Sequence, residues 1–141
     1  MYTAMLLALL TACGQPAPAD APPGAEPTTD AASKTGADHT TIAGLKAAMD
    51  AGEITLIDVR TPAEFAAGHV PGALPVPLSE LEARLPELAA HKQGDVYMIC
   101  ASGGRSGRAV KLLAREGFRH PINVEGGTRA WVAAGHAVDV P

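Results

Sequence analysis

The sequence predicts an α/β domain over residues 41–141, a parallel sheet with helices on both faces. Three observations predict it. The short apolar runs 54–59, 96–99 and 121–124 show little polar alternation, as in strands covered on both sides. Between them lie stretches with apolar residues three and four apart, opened by helix caps. The two kinds of segment alternate, which gives parallel strands joined by right-handed helical crossovers. About a hundred residues suffice to bury an independent core. Aromatic residues make up only 4% of the chain, so that core comes from Leu, Val, Ile and Ala. The formal net charge of −4 argues against nucleic-acid binding, which needs a basic face.

The chain begins with an apolar stretch inside residues 1–13. It is too short to cross a bilayer as a helix, which takes about 20 residues, and fits the apolar region of an export signal. Leu10-Thr11-Ala12-Cys13 resembles the lipobox of bacterial lipoprotein signals. That resemblance implies removal of residues 1–12, a diacylglyceryl group on the Cys13 sulfur, and an acylated new amino terminus in many bacteria. More than one acyl chain gives stable anchoring. The chain is then expected to be exported and held on a bacterial membrane, facing the periplasm or the exterior. Residues 13–40 read as a disordered Pro/Ala-rich tether. Pro16, Pro18, Pro22, Pro23 and Pro27 punctuate it, and without large apolar residues it cannot offset its ordering entropy. As a flexible coil it reaches on the order of 30 Å, and about 80 Å in polyproline form.

The elements of the domain follow in order. Ile42, Leu45, Ala48 and Met49 form a helical stripe that ends near Gly52. Residues 54–59 are a strand. Thr61-Pro62-Ala63-Glu64 opens a short helix, with Thr as cap, Pro at the first position and Glu three residues after the cap. Residues 74–76 make a short strand whose prolines place it at an edge. Ser79-Glu80-Leu81-Glu82 is a second capping box, predicting a helix with Leu81, Leu85 and Leu88 on one face. A strand over 95–99 leads to Cys100. A helix from about 106 follows, capped by Gly117. Residues 121–124 are another strand, and Gly126-Gly127 turns into a last helix with Trp131 that ends near Gly135. In such sheets the ligand crevice lies outside the carboxyl ends of the strands. Asp58-Val59-Arg60, Cys100 and Glu125-Gly126-Gly127 are therefore expected to converge on one rim.

Residues 94–108 carry the chemistry. Cys100 ends an apolar strand, the small residues Ala101-Ser102-Gly103-Gly104 follow, and Arg105 and Ser106 start a helix. Free backbone N–H groups at a helix start, aided by the helix dipole, form an anion site that favours a thiolate. Gly103 and Gly104 let those groups turn inward, and Arg105 adds a permanent positive charge. The chain has two cysteines. If Cys13 carries lipid, Cys100 is a lone free thiol in an oxidising compartment, which points to sulfur or redox chemistry. Asp58 hydrogen-bonds the active loop or braces its own turn through Arg60. His69, His91, His120 and His136 show no metal-ligand spacing, and neither a metal nor an organic cofactor is expected.

Four stretches in order then resemble one family. They are Leu56-Ile57-Asp58-Val59-Arg60-Thr61-Pro62-Ala63-Glu64-Phe65, Gly68-His69-Val70-Pro71-Gly72-Ala73, Cys100-Ala101-Ser102-Gly103-Gly104-Arg105-Ser106, and Glu125-Gly126-Gly127 with Trp131 and Gly135. Residues 41–141 are similar to a single rhodanese-like domain. The resemblance implies a central sheet of about five strands and sulfur transfer through a cysteine persulfide. Cys100 takes the place of the nucleophile, backbone N–H groups from Ala101 to Ser106 hold its sulfur, and Arg105 orders the loop and attracts anions. The implied substrates are a small anionic sulfur donor such as thiosulfate and a thiol or cyanide acceptor, with a protein acceptor as one form of it. Many loops of the family carry basic residues where this chain has Ala101 and Gly104, while Arg108, Lys111, Arg115 and Arg119 follow on a face expected to be solvated. Two other readings remain open: a non-catalytic or persulfide-carrying binding module, and a thiolate-loop phosphatase or arsenate reductase. Loops of the phosphatase kind place five residues between cysteine and arginine; here there are four.

Overall fold

A computed structural model describes residues 38–141. The expected signal segment, Cys13 and all of the tether up to residue 37 lie outside the described residues. Five strands form one sheet: β1 (Asp38–Thr40), β2 (Thr55–Asp58), β3 (Leu74–Pro75), β4 (Asp95–Ile99) and β5 (His120–Val124). All pairings are parallel, and the order across the sheet is β1-β5-β4-β2-β3. The helices are α1 (Ile42–Ala51), α2 (Pro62–Ala66), α3 (Leu85–Leu88), α4 (Gly104–Arg115) and α5 (Gly127–Ala133). This is the α/β fold that the sequence predicts.

Side chains on a strand alternate between faces, and that alternation builds two cores. Val96, Met98 and Cys100 join Ile57 and Val59 under α4, packed on Val110, Leu113 and Phe118. Leu56, Ile99 and Val124 face the other way, onto Ile42, Leu45 and Trp131 of α1 and α5. The central strands β4 and β2 are therefore apolar on both faces, which is why their sequences show no alternation.

Several local expectations hold. Thr61 and Glu64 make a reciprocal capping box at α2, with Pro62 in the first turn. β3 is an edge strand, as its prolines require. At the end of α4, Phe118 N–H bonds to Leu113 O at 3.0 Å and Gly117 N–H to Ala114 O at 3.3 Å. These two bonds satisfy orphan carbonyls, and Phe118 and Leu113 share the core beneath them.

Three expectations are corrected. The sheet gains β1 from the stretch read as tether: Asp38, His39 and Thr40 pair with Ile122, Asn123 and Val124. An edge strand needs only backbone groups, so its polar residues gave no apolar signal. The predicted helix from residue 80 is instead a series of turns, followed by the single turn α3 and a 3₁₀ turn, Ala89–His91. Pro86 lacks an N–H and disfavours helical angles just before it, which breaks a continuous helix. Leu81 and Leu88 still reach the core. Finally, α4 begins at Gly104 rather than near 106, so the loop that follows Cys100 is shorter than expected.

The chain leaves β2 toward the β3 edge and leaves β4 toward the β5 edge. β2 and β4 are neighbours, so a crevice opens between their carboxyl ends. Cys100 and Asp58 stand at that point.

Candidate active site

The sulfur of Cys100 lies on the α4 side because it continues the alternation of Val96 and Met98. The chain then turns through Ala101 and Ser102 to Gly103, whose φ of +104° caps α4 in a conformation that side chains rarely adopt. Gly104 is an ordinary first residue of the helix, with open space where a Cβ would be. Of the two glycines expected to shape the loop, only Gly103 uses its freedom.

Gly103 N–H donates to Cys100 Sγ at 3.1 Å, and Ser106 Oγ lies 3.4 Å from the same sulfur. Burial alone would push the Cys100 thiol up. The Ser106 hydroxyl and the backbone N–H groups of Ser106, Ser102 and Gly103 outweigh it and hold the thiol below its ordinary value. These donors come from the loop and the first turn of α4. The residue is nonetheless only 1% exposed.

Arg105 does not point its charge freely at that sulfur. Its guanidinium grips Glu64 of α2 with two bonds of 2.7 Å each. Glu64, which the sequence marks chiefly as a cap, thus also fastens α2 to the start of α4. Its carboxyl is held down at about 2, chiefly by Arg105, with burial acting the other way and Thr61 adding to the lowering. Asp58 and Arg60 resolve into the bracing role. Arg60 Nε reaches both Asp58 oxygens at 3.0 and 2.9 Å, Arg60 Nη2 reaches Oδ2 at 2.7 Å, and Nη2 also donates to Gly68 O at 2.8 Å. Both residues are buried.

The third loop meets the first two. Thr128 N–H donates to Cys100 O at 2.8 Å, Thr128 Oγ1 donates to the same oxygen at 3.2 Å, and Arg129 N–H donates to Ala101 O at 3.1 Å. Gly127 has a φ of +57°, and a Cβ there would collide with Cys100 O and stand 2.7 Å from Ala101 C. The two loops can touch only because this position is glycine. A pocket of about 430 Å³ opens beside the active loop, lined by Arg60, Glu64, Ala101, Thr128, Arg129 and Val132. Another, of about 370 Å³, lies before β2, at the opposite ends of the strands, and is lined by Met49, Ile54 and Pro71 among others.

Sequence reasoning missed Asn123, Thr128 and Arg129. Asn123 Oδ1 lies 2.6 Å from Ser106 Oγ inside the sheet, so it competes with the Cys100 sulfur for the single hydroxyl proton. A polar residue in an apolar strand was the available signal. Trp131 is core, its Nε1–H donating to Ala137 O at 2.7 Å. Arg108, Lys111, Arg115 and Arg119 are exposed, as expected of a solvated face. Among the described residues, no three His, Cys, Asp or Glu side chains are placed to hold a metal.

Comparison with known proteins bears on this geometry. The profile of the rhodanese-like domain family matches residues 41–134. A sulfurtransferase of Allochromatium vinosum is 37% identical over 92 residues, 65% of this chain and 84% of that protein. Thiosulfate sulfurtransferase PspE of Escherichia coli is 36% identical over 70 residues, 50% of this chain and 67% of that one. The matched stretch spans only 41% and 59% of two other relatives, both from Bacillus subtilis. The crystal structure of a rhodanese-related protein from Thermoplasma volcanium superposes with a TM-score of 0.66 at 31% identity, covering 74% of this chain and 99% of that one.

Proposed function

Because the chain belongs to the rhodanese-like domain family, we propose that it is a sulfurtransferase that works through a persulfide on Cys100. The observation that carries this reading is the setting of the sulfur at a helix start, with the Gly103 N–H donating to it at 3.1 Å and the Ser106 hydroxyl oxygen 3.4 Å away. The Cys100 thiolate attacks the outer sulfur of a donor such as thiosulfate. The donor's S–S bond breaks, and sulfite leaves with its electron pair. The new terminal sulfur is anionic, and the same N–H groups stabilise it. A thiol, as its thiolate, or cyanide then attacks that outer sulfur, and Cys100 returns as a thiolate. Each step is a two-electron displacement at sulfur by an activated nucleophile.

A phosphatase fits less well. Arg105 is held by Glu64 rather than offered to an oxyanion. Two further parts of the reading rest on sequence alone: the anchor on Cys13, and the placement of the domain outside the cytoplasm. No helix among the described residues is long and apolar enough to cross a membrane. Cys13→Ser should release the whole chain from the membrane fraction. Equal partitioning of both forms would remove the anchor.

The central test is the intact mass of the full chain after thiosulfate, beside a Cys100→Ser form. A gain of one sulfur atom that requires Cys100 is expected. Failure with thiosulfate and with organic persulfides alike would sink the transferase reading. Clear turnover of an aryl phosphate would replace it with a phosphatase.

A further inference from the structure

We infer that Arg129 is the residue by which this site recognises an anionic sulfur compound, entering through the pocket beside Ala101; the inference rests on the transferase reading and names the charge of its substrate. Three guanidinium groups stand at the rim: Arg60, Arg105 and Arg129. Two are already occupied. Arg60 is bound to Asp58 through three hydrogen bonds and to Gly68 O. Arg105 is bound to both oxygens of Glu64. Each forms a nearly neutral pair when viewed from the pocket, and neither can turn to a ligand without abandoning a carboxylate.

Arg129 differs in every respect. Among the described residues, no carboxylate lies within ion-pairing distance of it. It is exposed, yet it lines the pocket together with Ala101. Its own backbone N–H donates to Ala101 O at 3.1 Å, so its main chain is fastened to the active loop. Glu64, the acidic residue of the lining, is spent on Arg105. The pocket therefore carries one uncompensated positive charge, supplied by α5. Ala101 and Gly104 add none from the loop itself. A single positive charge at a pocket wall raises the local concentration of anions.

The test separates recognition from transfer. Rates of Cys100 alkylation in the full chain are read on the Cys100 peptide with iodoacetate, an anion, and with iodoacetamide, its neutral counterpart. Any change in thiolate fraction alters both rates alike and cancels in their ratio. Arg129→Gln should lower the iodoacetate-to-iodoacetamide ratio by roughly three- to tenfold at low salt, as expected for one partly screened charge on the reagent's way in. Arg129→Glu should lower it further, Arg129→Lys should restore most of it, and 1 M salt should erase the difference. Arg108→Gln, on the exposed face of α4, should leave it unchanged. In the same series the KM for thiosulfate should rise while kcat holds. An unchanged alkylation ratio in Arg129→Gln, or an equal fall in Arg108→Gln, overturns the inference. Because alkylation needs no sulfur transfer, the ratio reports on Arg129 even if the wild-type chain takes no sulfur from thiosulfate.

Discussion

At the scale of the residue, the chemistry turns on how one sulfur is solvated by protein. Cys100 is buried, and burial opposes the thiolate. Hydrogen bonds from Ser106 and the loop N–H groups reverse the balance. The sign follows directly: with the thiol held below its ordinary value, the reactive form persists to lower pH. Ser106→Ala should therefore move the midpoint of the pH profile for iodoacetamide alkylation upward. At neutral pH it should slow alkylation roughly tenfold, the scale of a hydrogen bond to a charged group. A midpoint that stays in place would mean that the backbone N–H groups suffice alone. The same linkage gives a stability term that is full above the unfolded thiol value and lost as pH falls through the folded one. It belongs to alkaline solution.

At the scale of the element, the first loop of the rim is held by a pair of its own and the others are held by contacts between loops. The turn after β2 is held by the buried Asp58–Arg60 pair, with the guanidinium reaching on to Gly68 O. Breaking such a pair from one side leaves a buried charge unpaired. Asp58→Asn should cost about 3–5 kcal/mol, measured by urea unfolding. Replacing both partners, Asp58→Asn with Arg60→Met, should recover much of that loss; a double variant as unstable as the sum of the singles would contradict this account. The start of α4 is held to α2 by Glu64 and Arg105, and the start of α5 is held to the active loop by Thr128 and Arg129. The active loop is thus pinned from two sides by elements that are distant in sequence.

At the scale of the whole molecule, the sheet order places β2 and β4 side by side with their onward connections running to opposite edges. The rim is a consequence of that order. The sheet ends in β1, which covers the edge of β5 and receives the Glu125 N–H on Thr40 O at 2.8 Å. A chain trimmed to begin at Thr41 should expose that edge. We expect it to lose about 1–2 kcal/mol, a few backbone hydrogen bonds at their usual net worth, and to self-associate, whereas a chain that begins at Asp38 should do neither. Urea midpoints and light scattering of the two would decide it. Equal behaviour would mean that β1 is dispensable.

The sequence by itself determined the α/β class, most element positions, the capping box at Thr61, and Cys100 with the loop that follows. These are local matters: periodicity, caps and small residues at a helix start act through near neighbours in the chain. It did not reveal β1, because pairing at an edge uses backbone groups that no side-chain pattern reports. Pro86 was legible in the chain as a limit on the helix, but Ser79 and Glu82 had the pattern of a helix start. What only the tertiary structure decided is who neutralises whom. Arg105 looked like the free cation of the site until Glu64, forty-one residues away, closed on it. Arg129 carried no signal beyond its place in a short helix. Charge at a site is a sum over groups brought together by folding, and a linear sequence fixes the groups but not which of them are left uncompensated.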